Sequence, residues 1–120
     1  MIFPAKDQWS FSYDEDDFIV ANHPDFDSSI NDAVSNYFDD VRNIHSTEWL
    51  MSEWREIERR YPEEPNGVSF NATVATLSGA GKVTIESQYG QFETITLPES
   101  EFLCAIRAFH EFLSPARSDD

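Results

Sequence analysis

Residues 68–97, VSFNATVATLSGAGKVTIESQYGQFETITL, decide the fold of this chain. Val68, Phe70, Ala72 and Val74 alternate with Ser69, Asn71 and Thr73, the period of two that sends successive side chains to opposite faces of a strand. Ser78-Gly79-Ala80-Gly81 then reads as a turn, because glycine accepts backbone conformations that other residues avoid. Val83, Ile85 and Ser87 alternate with Thr84, Glu86 and Gln88, and Tyr89-Gly90-Gln91 marks a second turn. Phe92 to Leu97 is rich in strand-forming residues, with Ile95 and Leu97 on one side and Thr94 and Thr96 on the other. Connections this short join antiparallel neighbours, since parallel strands need a long crossover. The stretch predicts a three-stranded antiparallel meander.

Working outward, helical periods take over on both sides. After the meander, Pro98 stands at a helix start, where its missing N–H costs nothing. Phe102, Leu103, Ile106, Phe109, His110 and Leu113 share one stripe, and Pro115 ends it. Before the meander, Leu50, Trp54, Ile57 and Tyr61 predict a helix from about Thr47 to Tyr61, capped by Ser46 or Thr47 and stopped by residues 62–67. Further upstream, Ile30, Ala33, Val34, Tyr37, Phe38 and Val41 form a full amphipathic stripe, with Asp27 or Ser28 as its cap. At the start, Trp9, Phe11 and Tyr13 alternate with Gln8, Ser10 and Ser12, a strand with one aromatic face. Asp14-Glu15-Asp16-Asp17 turns the chain, and Phe18 to Ala21 returns as a second strand. The expected fold is α+β: an antiparallel sheet of three to five strands with three helices packed mainly on one face. Three strands become five if the N-terminal pair joins the sheet. A chain of 120 residues reads as a single domain, 1–120.

The charge points to a kind of partner. There are 23 Asp and Glu against 8 Lys and Arg, a formal net charge of −15, and ten of the acids face a single base within the first forty residues. Ten phenylalanines and three tryptophans argue for a packed core, because disordered chains of high charge hold few aromatics. An acidic surface repels phosphate backbones and anionic headgroups, so neither nucleic acid nor membrane is the expected partner. No apolar run approaches the roughly 20 residues that a membrane helix needs. No basic region followed by an apolar run opens the chain, and Cys104 is the lone cysteine. The expected location is therefore the cytoplasm.

Chemistry-bearing patterns are sparse. His23, His45 and His110 lie at least 22 residues apart, so no local metal-binding pair exists. Cys104 and His110 share a predicted helix but point to different sides. Cys104 reads as a small core residue and His110 as a boundary residue. His23, beside Pro24, reads as the most exposed histidine. Ser78 to Lys82 lacks the spacing of a phosphate loop and leads into a strand. Counting from Asp14, a calcium loop would put glycine sixth and glutamate twelfth, where Ile19 and Asp25 stand. No catalytic residue, cofactor or metal is expected, and the chain reads as a binder rather than an enzyme. The candidate contact residues are the acids Asp14, Glu15, Asp16, Asp17, Asp39 and Asp40, with Glu63 and Glu64, and Trp49 as an anchor. Asp39 and Asp40 sit near a helix C-terminus, where the dipole disfavours negative charge; a binding face would account for them.

The succession Lys82-Val83-Thr84-Ile85, Tyr89-Gly90, Thr94-Ile95-Thr96-Leu97-Pro98 and the helix Phe102 to Leu113 resembles the ending of bacterial toxin-immunity proteins. It is similar in particular to the immunity proteins of contact-dependent growth inhibition systems. The resemblance implies a small acidic cytosolic protein that binds a cognate toxin domain stoichiometrically and neutralises it. Many such toxins are nucleases with basic active sites, which suits an acidic inhibitor. No binding residue is carried over by motif. An acidic regulator or nucleic-acid mimic for another basic protein remains the alternative, and a small hydrolase the second.

Overall fold

The computed structural model describes residues 8–79 and 81–114. In chain order the elements are β1 (Ser10–Tyr13), β2 (Ile19–Asn22), α1 (Ser28–Val41), α2 (Ile44–Arg60), β3 (Gly67–Ser69), β4 (Thr73–Leu77), β5 (Lys82–Ser87), β6 (Ile95–Pro98) and α3 (Glu99–Leu113). The fold is α+β. β3, β4, β5 and β6 make an antiparallel sheet in sequence order, and β1 pairs with β2 in a separate two-stranded sheet that does not join it.

The meander has one strand more than the alternation predicts. Residues 68–74 do not run as one strand but fold back, with Ser69 opposite Val74 and the Phe70 N–H donating to the Thr73 carbonyl at 2.9 Å. The turn is held from outside the sheet: the Asp40 carboxylate accepts the Ala72 N–H and the Thr73 hydroxyl, both at 2.8 Å. The core-facing side of β4 is therefore Thr73, Ala75 and Leu77, all buried, and the predicted inward phase of Ala72 and Val74 is corrected. Gly67 lies across from Thr76, and a Cβ there would stand 2.9 Å from the Ala75 carbonyl oxygen. Only glycine lets β3 pair so tightly.

β5 and β6 keep their predicted faces. Val83, Ile85 and Leu97 are buried beneath the helices, while Thr76, Thr84 and Thr96 form one row across the opposite face. The three helices lie mainly on one face, α1 against β4, β5 and β6, α2 against β3, and α3 against β5 and β6. β6 begins later than predicted, at Ile95.

α1 buries Ala33, Val34, Tyr37, Phe38 and Val41 of the predicted stripe and leaves Ile30 half-buried, and Asp27 caps it by accepting the Ile30 N–H at 3.1 Å. α2 starts earlier than predicted, because Asn43 and not Ser46 or Thr47 is the cap; its side chain accepts the Ser46 N–H at 2.8 Å. Arg42, at φ 72°, makes the sharp joint between the two helices, closed by the Asn43 N–H on the Val41 carbonyl at 2.9 Å. α3 starts one residue past Pro98. Its first turn receives two buried indoles. The Trp54 N–H donates to Glu99 Oε2 at 2.8 Å, and the Trp9 N–H to Glu101 Oε1 at 3.2 Å. Buried tryptophan needs such a partner, and carboxylates are favoured at a helix N-terminus.

The hairpin of β1 and β2 packs by its aromatic face. Trp9 is buried, and the Phe11 ring lies 5.4 Å from Phe38 and 5.0 Å from Phe109. The free edge of β2 is closed by side chains of α1. The Ile19 N–H donates to Asp39 Oδ1 at 3.0 Å, the Ala21 N–H to Ser35 Oγ at 2.8 Å, and the His23 N–H to Asn31 Oδ1 at 3.0 Å. Four helical residues advance about 6 Å and two strand residues about 6.7 Å. Polar residues every fourth place on α1 therefore meet every second N–H of β2.

Candidate protein-binding surface

The acidic turn sits at the tip of the hairpin, as predicted. Asp14 Oδ1 accepts the N–H groups of Asp16 at 2.8 Å and Phe18 at 3.0 Å. The Asp17 N–H closes the turn on the Asp14 carbonyl at 3.0 Å, with Asp17 at φ 64°. Glu15, Asp16 and Asp17 are exposed, and their carboxylates make no hydrogen bond or ion pair among the described residues. Asp14 spends one oxygen on the turn itself. This fixes the loop and lowers the ordering cost of any contact made there.

Behind the turn, the outward face of β2 and the polar side of α1 form a groove of about 470 Å³, which includes Asp14, Phe18, Val20, Asp32, Asn36 and Asp39. A second depression of about 250 Å³ shares Asn36, Asp39 and Gln91 with it and extends to Asp40, Arg42 and Asn71. Phe18 and Val20 are 52% and 37% exposed. Ile19 and Ala21 point the other way and are buried. Phe18 to Ala21 reads as an uninterrupted apolar run in sequence, so nothing in it marked Phe18 and Val20 as the outward pair. Nothing in the sequence marked Asp32, Asn36 or Gln91 as groove residues.

The structure thus brings Asp14, Asp39 and Asp40 to one side of the molecule. It also gives the last two internal tasks. Asp39 holds the Ile19 N–H and pairs with Arg42 at 3.0 Å. Asp40 holds the β3–β4 turn. It also lies near the fully buried Tyr37, whose phenol is pushed well above its ordinary range, first by burial and then by the Asp40 charge. Tyr37 therefore stays a donor, to the Val68 carbonyl at 3.2 Å. Their unfavourable position at a helix C-terminus has this structural reason.

Glu63 and Glu64 lie in the exposed turn between α2 and β3, and neither lines the groove. Trp49 is 50% exposed, propped edge-on against Phe70 with ring centres 5.7 Å apart; it does not line the groove either. Of the nine candidate contact residues, Asp14, Asp39 and Asp40 line the two depressions, and Glu63, Glu64 and Trp49 line neither.

His23 is corrected: it is 3% exposed, not the most exposed histidine. Its ring packs between Trp9 and Phe26 at 5.0 and 4.6 Å, and its Nδ1 accepts the Asp25 N–H at 3.1 Å. Its Nε2 lies 3.5 Å from Glu101 Oε1. His110 is a boundary residue bonded to Glu48 at 3.0 Å, and Cys104 is partly buried against the core. Among the described residues, no group of three His, Cys, Asp or Glu is placed to hold a metal ion, and no helix is long and apolar enough to cross a membrane. Compared with known proteins, the chain matches no family model, no curated protein and no solved structure.

Proposed function

We propose that this chain is a cytoplasmic immunity protein that neutralises a cognate toxin domain by stoichiometric binding, its acidic hairpin turned toward a basic surface of the toxin. The observation that carries the reading is the Asp14–Asp17 turn. Its backbone, held by Asp14, presents the free carboxylates of Glu15, Asp16 and Asp17 beside the exposed Phe18 and Val20. Ordered acids steer a basic partner to the surface and suppress wrong ones. Neighbouring apolar side chains slow its release, since burial of aromatic anchors dominates most interfaces.

Two experiments test this. Tagged chain is used to capture partners from its source cells at low and high salt. The expected catch is a basic protein encoded next to this chain that kills cells when expressed alone and spares them when the two are co-expressed. Capture of a basic but harmless protein would favour a regulator or nucleic-acid mimic instead. Reversing Glu15, Asp16 and Asp17 to lysine, with Asp14 kept because it holds the turn, should then slow association at least tenfold at low salt and flatten its salt dependence. An unchanged on-rate removes the turn from the interface.

A further inference from the structure

We infer that the groove between β2 and α1 receives an arginine side chain, with an apolar side chain two positions along, from an extended segment of a protein partner. This rests on the proposed function and names what the partner brings to the site. Three observations lead there. First, the groove combines carboxylates with apolar wall. Asp14, Asp32 and Asp39 stand along it, and Phe18 and Val20 are half-exposed on its rim. The Asp32 carboxylate makes no hydrogen bond or ion pair among the described residues. Arg42 is the cation beside these acids and is already paired with Asp39, so the site keeps an acidic excess.

Second, the volume of about 470 Å³ is that of a ligand site rather than of a whole helix. Third, main-chain recognition is closed off. The edge N–H groups of Ile19, Ala21 and His23 already bond to α1, so an incoming strand cannot extend the sheet at β2. The partner must be read by its side chains. A planar guanidinium can stack on the Phe18 ring while its fork reaches a carboxylate, which a lysine ammonium cannot do at once.

The test titrates the full-length, nitrogen-15-labelled chain with a capped octapeptide that carries arginine and valine in turn at every second position, with serine between them so that both face one side, followed by NMR. The same octapeptide with lysine or with glutamate in place of arginine serves for comparison. Expected are saturable shifts at Ile19, Val20, Asp32, Asn36 and Gln91. The lysine peptide should bind several-fold more weakly, and the glutamate peptide not at all. Phe18→Ser and Asp32→Lys, each at an exposed position, should each weaken the arginine peptide at least tenfold while the remaining spectrum stays unchanged. Either variant suffices if the other does not fold. Shifts spread over every acidic surface without saturation, shifts confined to residues 14–17, an absence of shifts, or equal affinity for arginine and lysine would each overturn the inference. The two readings fail separately. A captured toxin that binds both variants at full strength removes the groove and leaves the immunity function. Saturable peptide binding without any toxin partner removes the function and leaves the groove.

Discussion

Asp40 is where a residue chosen for its charge proves to be chosen for its reach. A carboxylate at the end of α1 opposes the helix dipole by a few tenths of a kcal/mol up to about 1 kcal/mol. It accepts two hydrogen bonds from the β3–β4 turn, and leaving a buried N–H without its acceptor costs about 1–3 kcal/mol. The second effect wins. Asp40→Ala should destabilise the chain by about 2 kcal/mol in urea unfolding. A loss below about 0.5 kcal/mol would mean that water replaces the carboxylate. The residue alone could not reveal this, because the residues that it holds lie more than thirty positions away. His23 failed for the same reason. Pro24 beside it signalled a loop, and loops usually lie at the surface, but the rings of Trp9 and Phe26 close over it.

Among the elements, α1 and β2 depend on each other most. The apolar stripe of α1 is legible in the sequence, and the structure buries all of it but Ile30, which is half-buried. The opposite pattern, Asn31, Ser35 and Asp39 at every fourth place, looks like ordinary solvent-facing polarity. It is instead the cover of a strand edge, a place where unpaired N–H groups would invite pairing with another chain. Ser35 Oγ accepts the Ala21 N–H and lies 2.7 Å from the Asn31 carbonyl. Ser35→Ala should cost about 1–2 kcal/mol and should raise hydrogen exchange at Ala21 above that at its neighbours Ile19 and His23. Uniform exchange along β2 would show that the ladder does not act bond by bond. The early start of α2 and the splitting of the predicted strand at residues 68–74 belong to this scale too. In each, a backbone N–H bonded to a side chain, that of Ser46 to Asn43 or that of Ala72 to Asp40, set a boundary that periodicity could not locate.

For the molecule as a whole, the net charge of −15 and one carboxyl pair set the response to pH. Glu58 is pushed up to about 8, first by burial and then by its hydrogen bond to Glu99 and that group's charge. Glu99 already accepts the Trp54 N–H. Unfolded, Glu58 loses its proton near its ordinary value of 4.5. Between these two values the folded chain holds a proton that the unfolded chain has released, so stability falls as pH rises. The contribution is complete below about 4.5 and lost as pH passes about 8. Glu58→Gln should therefore raise the melting temperature relative to the parent at pH 9, leave it nearly unchanged at pH 4, and flatten the curve between. Self-repulsion among surface carboxylates slopes the same way but is screened as the Debye length falls from about 10 Å in 0.1 M salt to about 3 Å in 1 M. The difference between parent and variant should survive 1 M salt. A difference that salt abolishes would assign the slope to the surface charge.

The sequence by itself determined the α+β class, the apolar stripes of all three helices, the acidic turn at Asp14–Asp17 and the inward faces of β5 and β6. These follow from interactions within a few residues, where a period of two or 3.6 and a turn composition are enough. Only the tertiary structure decided the fourth strand of the sheet, the separation of the N-terminal hairpin, the burial of His23, the internal duties of Asp39 and Asp40, and the groove that unites Phe18, Val20, Asp32 and Asn36. Each of these is made by groups distant in the chain. Whether a polar side chain meets solvent or a distant N–H is fixed by which elements pack together, not by its neighbours in sequence.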